Sequence, residues 1–309
     1  MKSLVVGAGA TGGYFGARLA RAGHDVTFLV RPARAEHLRT HGLRITGLTE
    51  LHLPEPQLVT ADELTAADFD LVLLSVKATA LDRALDDLAP AVGPGTAIVP
   101  LLNGLAHLDV LNARFGPTAV LGGVAKVVTT LGPEGEIVQL APPVNLTLGE
   151  QDGHLSERVT ALRTALTEAG VPTDPTPDVL AAMWHKWVFI TTLATVTGFL
   201  RGTVGEVGAV PGGTAFAEAV LAECSAVAEA AGRPVPAAEL AATRAVVTAP
   251  GSPLTASLAR DVLAGRHTEV EHLLGDLTAR ARTLGVPTPL LDVATLHLRV
   301  HQLRAGAGS

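Results

Sequence analysis

The chain has 309 residues, 48% of them hydrophobic and 17% charged, which allows two domains with large cores. Its net charge of −7, from 23 basic and 30 acidic residues, argues against nucleic acid as the main partner, because that role needs a basic footprint. The single cysteine, Cys224, rules out an internal disulfide and a cysteine-based zinc site, and its Ala-rich helical surroundings read as a small buried hydrophobe.

Residues 4–6 form a short apolar strand, and a glycine-rich turn leads into a helix over 13–22 that Gly23 ends. The second strand is "HDVTFLVR" (24–31), followed by a short helix over 34–41. "FDLVLLSVKA" (69–78) and "TAIVPLLNG" (96–104) are apolar runs suited to strands covered on both faces, with a helix over 81–88 between them. "PTAVLGGVA" (117–125) continues the pattern. Strands alternating with helices predict a parallel, doubly wound sheet. Residues 126–150, with Thr and Val runs around "PEGEIV", read as antiparallel strands closing the edge of that sheet. The Pro-rich stretch 171–178 marks a boundary, placing one domain at 1–172 and a mainly helical one at 173–309. Helices are expected over 177–200, 213–232, 236–247, 253–284 and 287–304, with a frayed tail over 305–309. No signal peptide is evident. The apolar stretches break before spanning length, so the reading is a cytoplasmic protein with no membrane partner.

The first glycines carry chemistry. In "VVGAGATGGYFG" (5–16) the spacing is Gly7-x-Gly9-x-x-Gly12, after a strand and at the start of a helix. There Gly7 permits the bend, Gly9 lets backbone approach a pyrophosphate, and Gly12 lets helix and strand pack closely. Ala10 and Thr11 then offer N–H groups at the helix N-terminus, a ready anion site. A tight turn without ligand is the plain alternative. Strand two ends in "LVRPAR", with Arg31 and Arg34 where an NAD-selecting enzyme would carry an acid. A cation there matches a 2′-phosphate, so NADP(H) is the expected cofactor. Lys77 ends its strand on the carboxyl edge, beside the cofactor or as an ordinary loop lysine.

With these residues in hand, the chain resembles the ketopantoate reductase (2-dehydropantoate 2-reductase) family over nearly its whole length. The resemblance rests on residues 7–31, "LLSVKA" (73–78), "LLNGL" (101–105), "MWHKWVF" (183–189) and "SLARDVLAGRHTEVEHLLG" (257–275). It implies an α/β architecture, with a Rossmann-like N-terminal domain, a mainly helical C-terminal domain and a catalytic cleft between them. It also implies NADPH and reduction of a 2-oxo acid to a 2-hydroxy acid. By position, the general-acid lysine matches Lys186, the glutamate Glu269, the substrate serine Ser257 and the cofactor-side asparagine Asn103. The lysine after the third strand matches Lys77. One departure stands out. Members of the family carry asparagines four and eight residues after the lysine, which help hold the hydroxylated substrate. Here these positions are Ile190 and Ala194, and Thr191, Thr192, Thr195 and Thr197 are the local polar groups. Thr191 is therefore an added candidate for substrate binding.

The residues can be read without the family. Lys186 lies among Trp184, Trp187, Val188 and Phe189, where its charged form is disfavoured and its pKa should fall. Such a group can protonate and stabilise the oxygen of a carbonyl under reduction; alternatively it is a helix lysine reaching water. Glu269 would hold that ammonium, with Glu271 as the decoy. Ser257 and Glu269, twelve residues apart in one long helix, would share a face. His267 and His272 are five apart, outside metal-binding helical spacing, so no metal is expected. Asn103-Gly104 is either a plain turn or an amide at the carboxyl edge. Three alternatives stay open: reduction of another small 2-oxo acid, carbonyl or imine; a non-catalytic NADP-binding sensor; and a hydroxy-acid dehydrogenase of the 6-phosphogluconate type. The Ala-rich helix at 213–232 leaves a homodimer open.

Overall fold

The computed structural model describes residues 1–65 and 69–306. Its contacts separate into two compact units, Met1–Leu102 with His107–Val179, and Asn103–Ala106 with Leu180–Ser309.

In chain order the first unit runs β1 (Lys2–Val6), α1 (Ala10–Arg21), β2 (Asp25–Leu29), α2 (Pro32–His41), β3 (Leu43–Gly47), β4 (Leu51–Leu53) and β5 (Gln57–Val59). It continues with β6 (Leu71–Leu74), α3 (Leu81–Leu88), β7 (Ala97–Pro100), α4 (Ala106–Phe115), β8 (Leu121–Leu131), β9 (Ile137–Glu150), α5 (Glu157–Glu168) and β10 (Thr173–Pro175). Five strands form a parallel sheet in the order β5-β2-β1-β6-β7. The chain steps outward from β1 in both directions, so β1 and β6 flank the point where strand order reverses, the usual ligand-binding place of an open α/β sheet.

The strands over 126–150 do not close that sheet. β8 and β9 pair antiparallel in a second sheet ordered β10-β9-β3-β4, with β8 on β9, and the parallel sheet bridges from Ile98 to Val120, just before β8. The cause is α1, which is apolar on both sides and lies between the two sheets. Tyr14, Phe15 and Leu19 are fully buried in one core with Val5 and Phe28 of the first sheet and Leu43, Ile45, Ile137 and Leu146 of the second. The extra glycines of the motif permit this. A Cβ on Gly16 would lie 2.5 Å from the Phe28 ring and 2.9 Å from Val5. One on Gly13 would lie 2.6 Å from Ile137. Each glycine thus flattens α1 toward a different sheet. β10 pairs with β9, so residues 173–175 belong to the first unit and the division falls at 179/180, later than the expected 172.

The second unit is helical. It comprises α6 (Val179–Ala194), continued by a π-helical segment Thr195–Phe199, then α7 (Val204–Ala209), α8 (Gly213–Ala230) and α9 (Ala237–Val247). After these come α10 (Ser257–Leu263), a second π-helical segment Glu271–Gly275 leading into α11 (Asp276–Leu284), and α12 (Pro289–Gly306). Residues 305 and 306 of the supposed frayed tail are thus helical, and 307–309 lie outside the described residues. The apolar stretches are not all short. Val179–Phe199 is one helix of 21 residues, long and apolar enough to cross a membrane, but 61% of its apolar window is buried inside the protein, as in a core helix. The expected helix over 253–284 is broken. Gly265 takes φ +66°, the N–H of Arg266 returns to the Asp261 carbonyl at 2.8 Å, and residues 266–269 run outside helix. The apolar stripe of α8, including Ala217, Leu221, Cys224 and Ala228, is buried, with α11 and α12 packed on the helix. It is therefore not the exposed pairing surface that its composition suggested. Burial pushes the Cys224 thiol up to about 12.

Gly16→Ala should destabilise the first unit by about 1–3 kcal/mol through overpacking against Phe28. The check is chemical denaturation of both proteins, and an unchanged midpoint would remove the close-approach role of Gly16.

Candidate active site

In the first unit the candidate residues gather at the turn between β1 and α1. Gly7 has φ +95°, and a Cβ there would also lie 2.9 Å from the Ser75 carbonyl. A Cβ on Gly12 would overlap the Gly7 carbonyl and lie 2.8 Å from Cβ of Ser75. Ser75 follows β6 and donates its N–H to the Val6 carbonyl at 2.9 Å, so the turn is walled at the switch point. Gly9 differs: a Cβ there meets nothing within 4 Å. Gly9 is also the N-cap of α1, with no side-chain cap and no acid in the first turn. Open space before a helix N-terminus whose N–H groups no side chain has taken fits a dinucleotide pyrophosphate. Ala10 and Thr11 open the helix there, both half-buried.

The two arginines after β2 have separate duties. Arg34 donates to the Ala8 carbonyl at 3.3 Å and to the Gly135 carbonyl at 3.0 Å, so it ties the glycine turn to the β8–β9 connection. Burial lowers its pKa. Arg31 is exposed and makes no side-chain hydrogen bond or ion pair among the described residues. Lys77 is exposed at the start of a 3₁₀ turn, Ala78–Ala80.

In the helical unit a separate group of candidate residues is organised by Trp187, which is 0% exposed. Its indole Nε1 donates to the Leu273 carbonyl at 3.1 Å, within the π-helical segment Glu271–Gly275. Glu269 opens that segment, since its carbonyl accepts the N–H groups of His272 and Leu273, each at 3.1 Å. Gly104 (φ +79°) packs into the same place: a Cβ there would lie 2.5 Å from the His272 carbonyl and 3.8 Å from Nε1 of Trp187. The neighbours of Lys186, Glu269 and Asn103 are therefore joined through one indole and two carbonyls. Lys186, Glu269 and Asn103 themselves are each half-buried, placed where a charge or amide meets both protein and solvent. Glu271 is distinguished from Glu269 by its partner. Arg299 holds it at 2.6 and 2.7 Å and lowers its pKa, so Glu271 is occupied structurally.

Two candidates change character. Thr191 is 0% exposed with no partner for its hydroxyl, so it offers nothing to a ligand in this structure. The reason is angular: five residues past Lys186 is about 140° round a helix of 3.6 residues per turn. Ile190, one turn on and half-buried, is the residue on the Lys186 side, and Ala194 beyond it is 1% exposed. Ser257 is exposed as the first residue of α10, and the break after Leu263 removes the shared helix face proposed for it and Glu269. Sequence reading missed Trp187 as an anchor and Ser75 as a wall. The adjacency of Trp187 to Lys186 and the small residue ending "LLS" were the available signals.

The model for the family "Ketopantoate reductase PanE/ApbA" matches residues 3–153, and that for its C-terminal domain matches residues 178–302. The chain belongs to the ketopantoate reductase family. It is 33% identical to the "Uncharacterized oxidoreductase YkpB" of Bacillus subtilis, over 98% of this chain and 99% of that one. Its fold is similar to the crystal structure of 2-dehydropantoate 2-reductase from Geobacter metallireducens, with a TM-score of 0.88 and 27% identity, covering 97% and 99% of the two chains. A ternary structure of D-mandelate dehydrogenase with NADH and anilino(oxo)acetate has the same fold, with a TM-score of 0.88 at 21% identity and 99% of each chain covered. The chain is thus an oxidoreductase acting on a CH–OH/C=O group.

Gly9→Val should fold normally, because space is open around the added atoms, yet lose nicotinamide cofactor affinity by about tenfold or more. Fluorescence titration with the reduced cofactor, alongside thermal unfolding, checks both halves of this expectation.

Proposed function

We propose that the chain reduces a 2-oxo acid to its 2-hydroxy acid with NADPH, ketopantoate to pantoate being the first assignment. In that role it would serve pantothenate and coenzyme A synthesis in the cytoplasm. The observation that carries the reading is the placement of Lys186 beside Trp187, whose indole donates to the Leu273 carbonyl just after Glu269 and lies 3.8 Å from where a Cβ on Gly104 would be. Bound NADPH supplies the hydride. Lys186 stabilises the developing negative charge on the substrate oxygen and gives it a proton. Glu269 orients the Lys186 ammonium or a substrate hydroxyl, and Asn103 positions the reacting groups from the turn after β7. Ser257 contributes a hydroxyl to the substrate. Gly7, Gly9, Ala10, Thr11 and Gly12 cradle the pyrophosphate, with Lys77 on the same carboxyl edge. Arg31 supports NADP over NAD, since its uncommitted guanidinium suits a 2′-phosphate.

A second reading concerns the substrate. One turn after Lys186 the chain presents Ile190 and then the buried Ala194, an apolar face where the family carries asparagines. A site lacking that hydrogen-bonding partner discriminates weakly for a substrate hydroxyl. This favours an unhydroxylated, branched 2-oxo acid.

Lys186→Ala should lower kcat by roughly 10²–10⁴-fold with NADPH binding retained. Unchanged turnover would remove Lys186 from its role and leave the sensor reading. Trp187→Phe, which keeps a ring and loses the N–H donor, should lower kcat by up to about tenfold, the equivalent of one hydrogen bond. Cofactor affinity should stay constant. Arg31→Ala should erode the preference for NADPH over NADH in steady-state kinetics. A panel comparing kcat/KM for ketopantoate and for unhydroxylated branched 2-oxo acids decides between the two substrates.

A further inference from the structure

A cleft of about 840 Å³ opens on the first unit, at the far end of α1 from the glycine turn. Its walls come from the last turn of α1, from β3 and β4 with their connection, and from the end of α5. Arg21 follows Gly9 by twelve residues, about 18 Å along a helix, so this cleft is separate from the β1–α1 turn.

The cleft is built around one arginine. Arg18 is half-buried, and its guanidinium is fixed from three places in the fold. Nη1 donates to the Gly170 carbonyl at 3.1 Å, and Nη2 donates to the Tyr14 hydroxyl at 2.8 Å and to Thr49 Oγ1 at 3.0 Å. The Tyr14 hydroxyl in turn donates to Gln139 Oε1 at 3.1 Å in the core. Gly170 makes room for this clamp: it has φ +76°, and a Cβ there would lie 2.7 Å from Nη1 of Arg18. Every acceptor is neutral. Among the described residues Arg18 makes no ion pair, and its Nε is buried with no partner. A guanidinium withdrawn from water is normally matched by a carboxylate. Arg18 instead keeps an uncompensated charge and a second Nη1 hydrogen that none of these acceptors takes.

Arg21 stands three residues on, on the same side of α1, exposed and also without an ion pair or side-chain hydrogen bond among the described residues. Basic residues in a last turn complement the helix dipole. An exposed cation serves that purpose, and it does not call for a guanidinium clamped on three neutral acceptors. The remaining charges of the cleft leave the pair uncancelled. Arg44 is held by Glu134 at 2.8 Å. Glu50 and Glu168 are both exposed, where water and salt screen them, and neither pairs with Arg18 or Arg21. Buried Ile45 and Ala169 add apolar surface to the lining.

We propose that this cleft binds a small oxyanion, a phosphate- or carboxylate-bearing metabolite, with its charged group on Arg18 and Arg21 beside Thr49. Arg18 supplies a charge fixed before the ligand arrives, and Arg21 supplies a free planar fork that matches either group. The proposal is independent of the substrate and of the catalytic roles assigned above.

The test is an NMR titration of the full, isotope-labelled chain with sodium phosphate and, in a second series, with sodium citrate, both at constant ionic strength. The expected result is saturable shifts of the Thr49 and Gly170 amides and of the Arg18 Nε–H, with half-saturation at roughly 1 mM anion or below. The anion held more tightly identifies the group as phosphate or carboxylate. Arg21→Gln alters an exposed side chain, so the fold should be kept while affinity falls by about fivefold or more. Arg18→Lys keeps the charge but loses the clamp, and should weaken binding as well. Shifts that fail to saturate with both anions, shifts confined to residues 7–12, or equal affinity in Arg21→Gln would overturn the proposal.

Discussion

The buried hydrogen bond from the Trp187 indole to the Leu273 carbonyl is the constraint on which the helical unit's site depends. A fully buried indole N–H needs an acceptor, and leaving it unpaired costs about 1–3 kcal/mol. The acceptor comes from a π-helical segment, where the hydrogen-bond register is widened. The segment that carries Glu269 is therefore pinned to the helix that carries Lys186, and Gly104 is small enough to fit against both. Arg280 stacks over the same indole at 5.7 Å, and Trp184 packs on it at 4.9 Å, so the anchor is held from more than one side.

The glycine turn of the first unit is organised differently. Its glycines act by what they leave out. Gly7 and Gly12 bring backbone and Ser75 together at the switch point, Gly13 and Gly16 bring two sheets onto one helix, and Gly9 leaves room for a ligand. One helix thus serves as core for two sheets and leaves open space before its N-terminus. Arg34 completes the arrangement by linking the glycine turn to the β8–β9 connection, while Arg31 stays exposed.

Much of this was legible in the residues. The glycine spacing after an apolar strand, the alternation of strands and helices, and the breakers before the helical unit identified the architecture and the tight turn between β1 and α1. The lost features have physical reasons. β3 and β4 are short and half-buried, and β9, the other partner of β3, is remote in sequence, so local pattern does not reveal a second sheet. Gly265 looks like a tolerated helix glycine until its left-handed conformation ends α10. The two π-helical segments escape any reading based on a 3.6-residue period. Thr191 was polar, near Lys186 and absent from the family pattern, yet one residue of rotation turns it into the core. Burial, unlike composition, depends on what packs against each face.

The chemistry of the lone sulfur follows from its place in α8. Held fully inside the helical unit, with its acidity suppressed to about 12, Cys224 presents almost no thiolate at neutral pH. Alkylating probes and mild oxidants will pass it by while the chain is folded. A cysteine engineered onto the surface would consequently be the single reactive handle on the molecule, so a spectroscopic label could be attached without first removing the natural one.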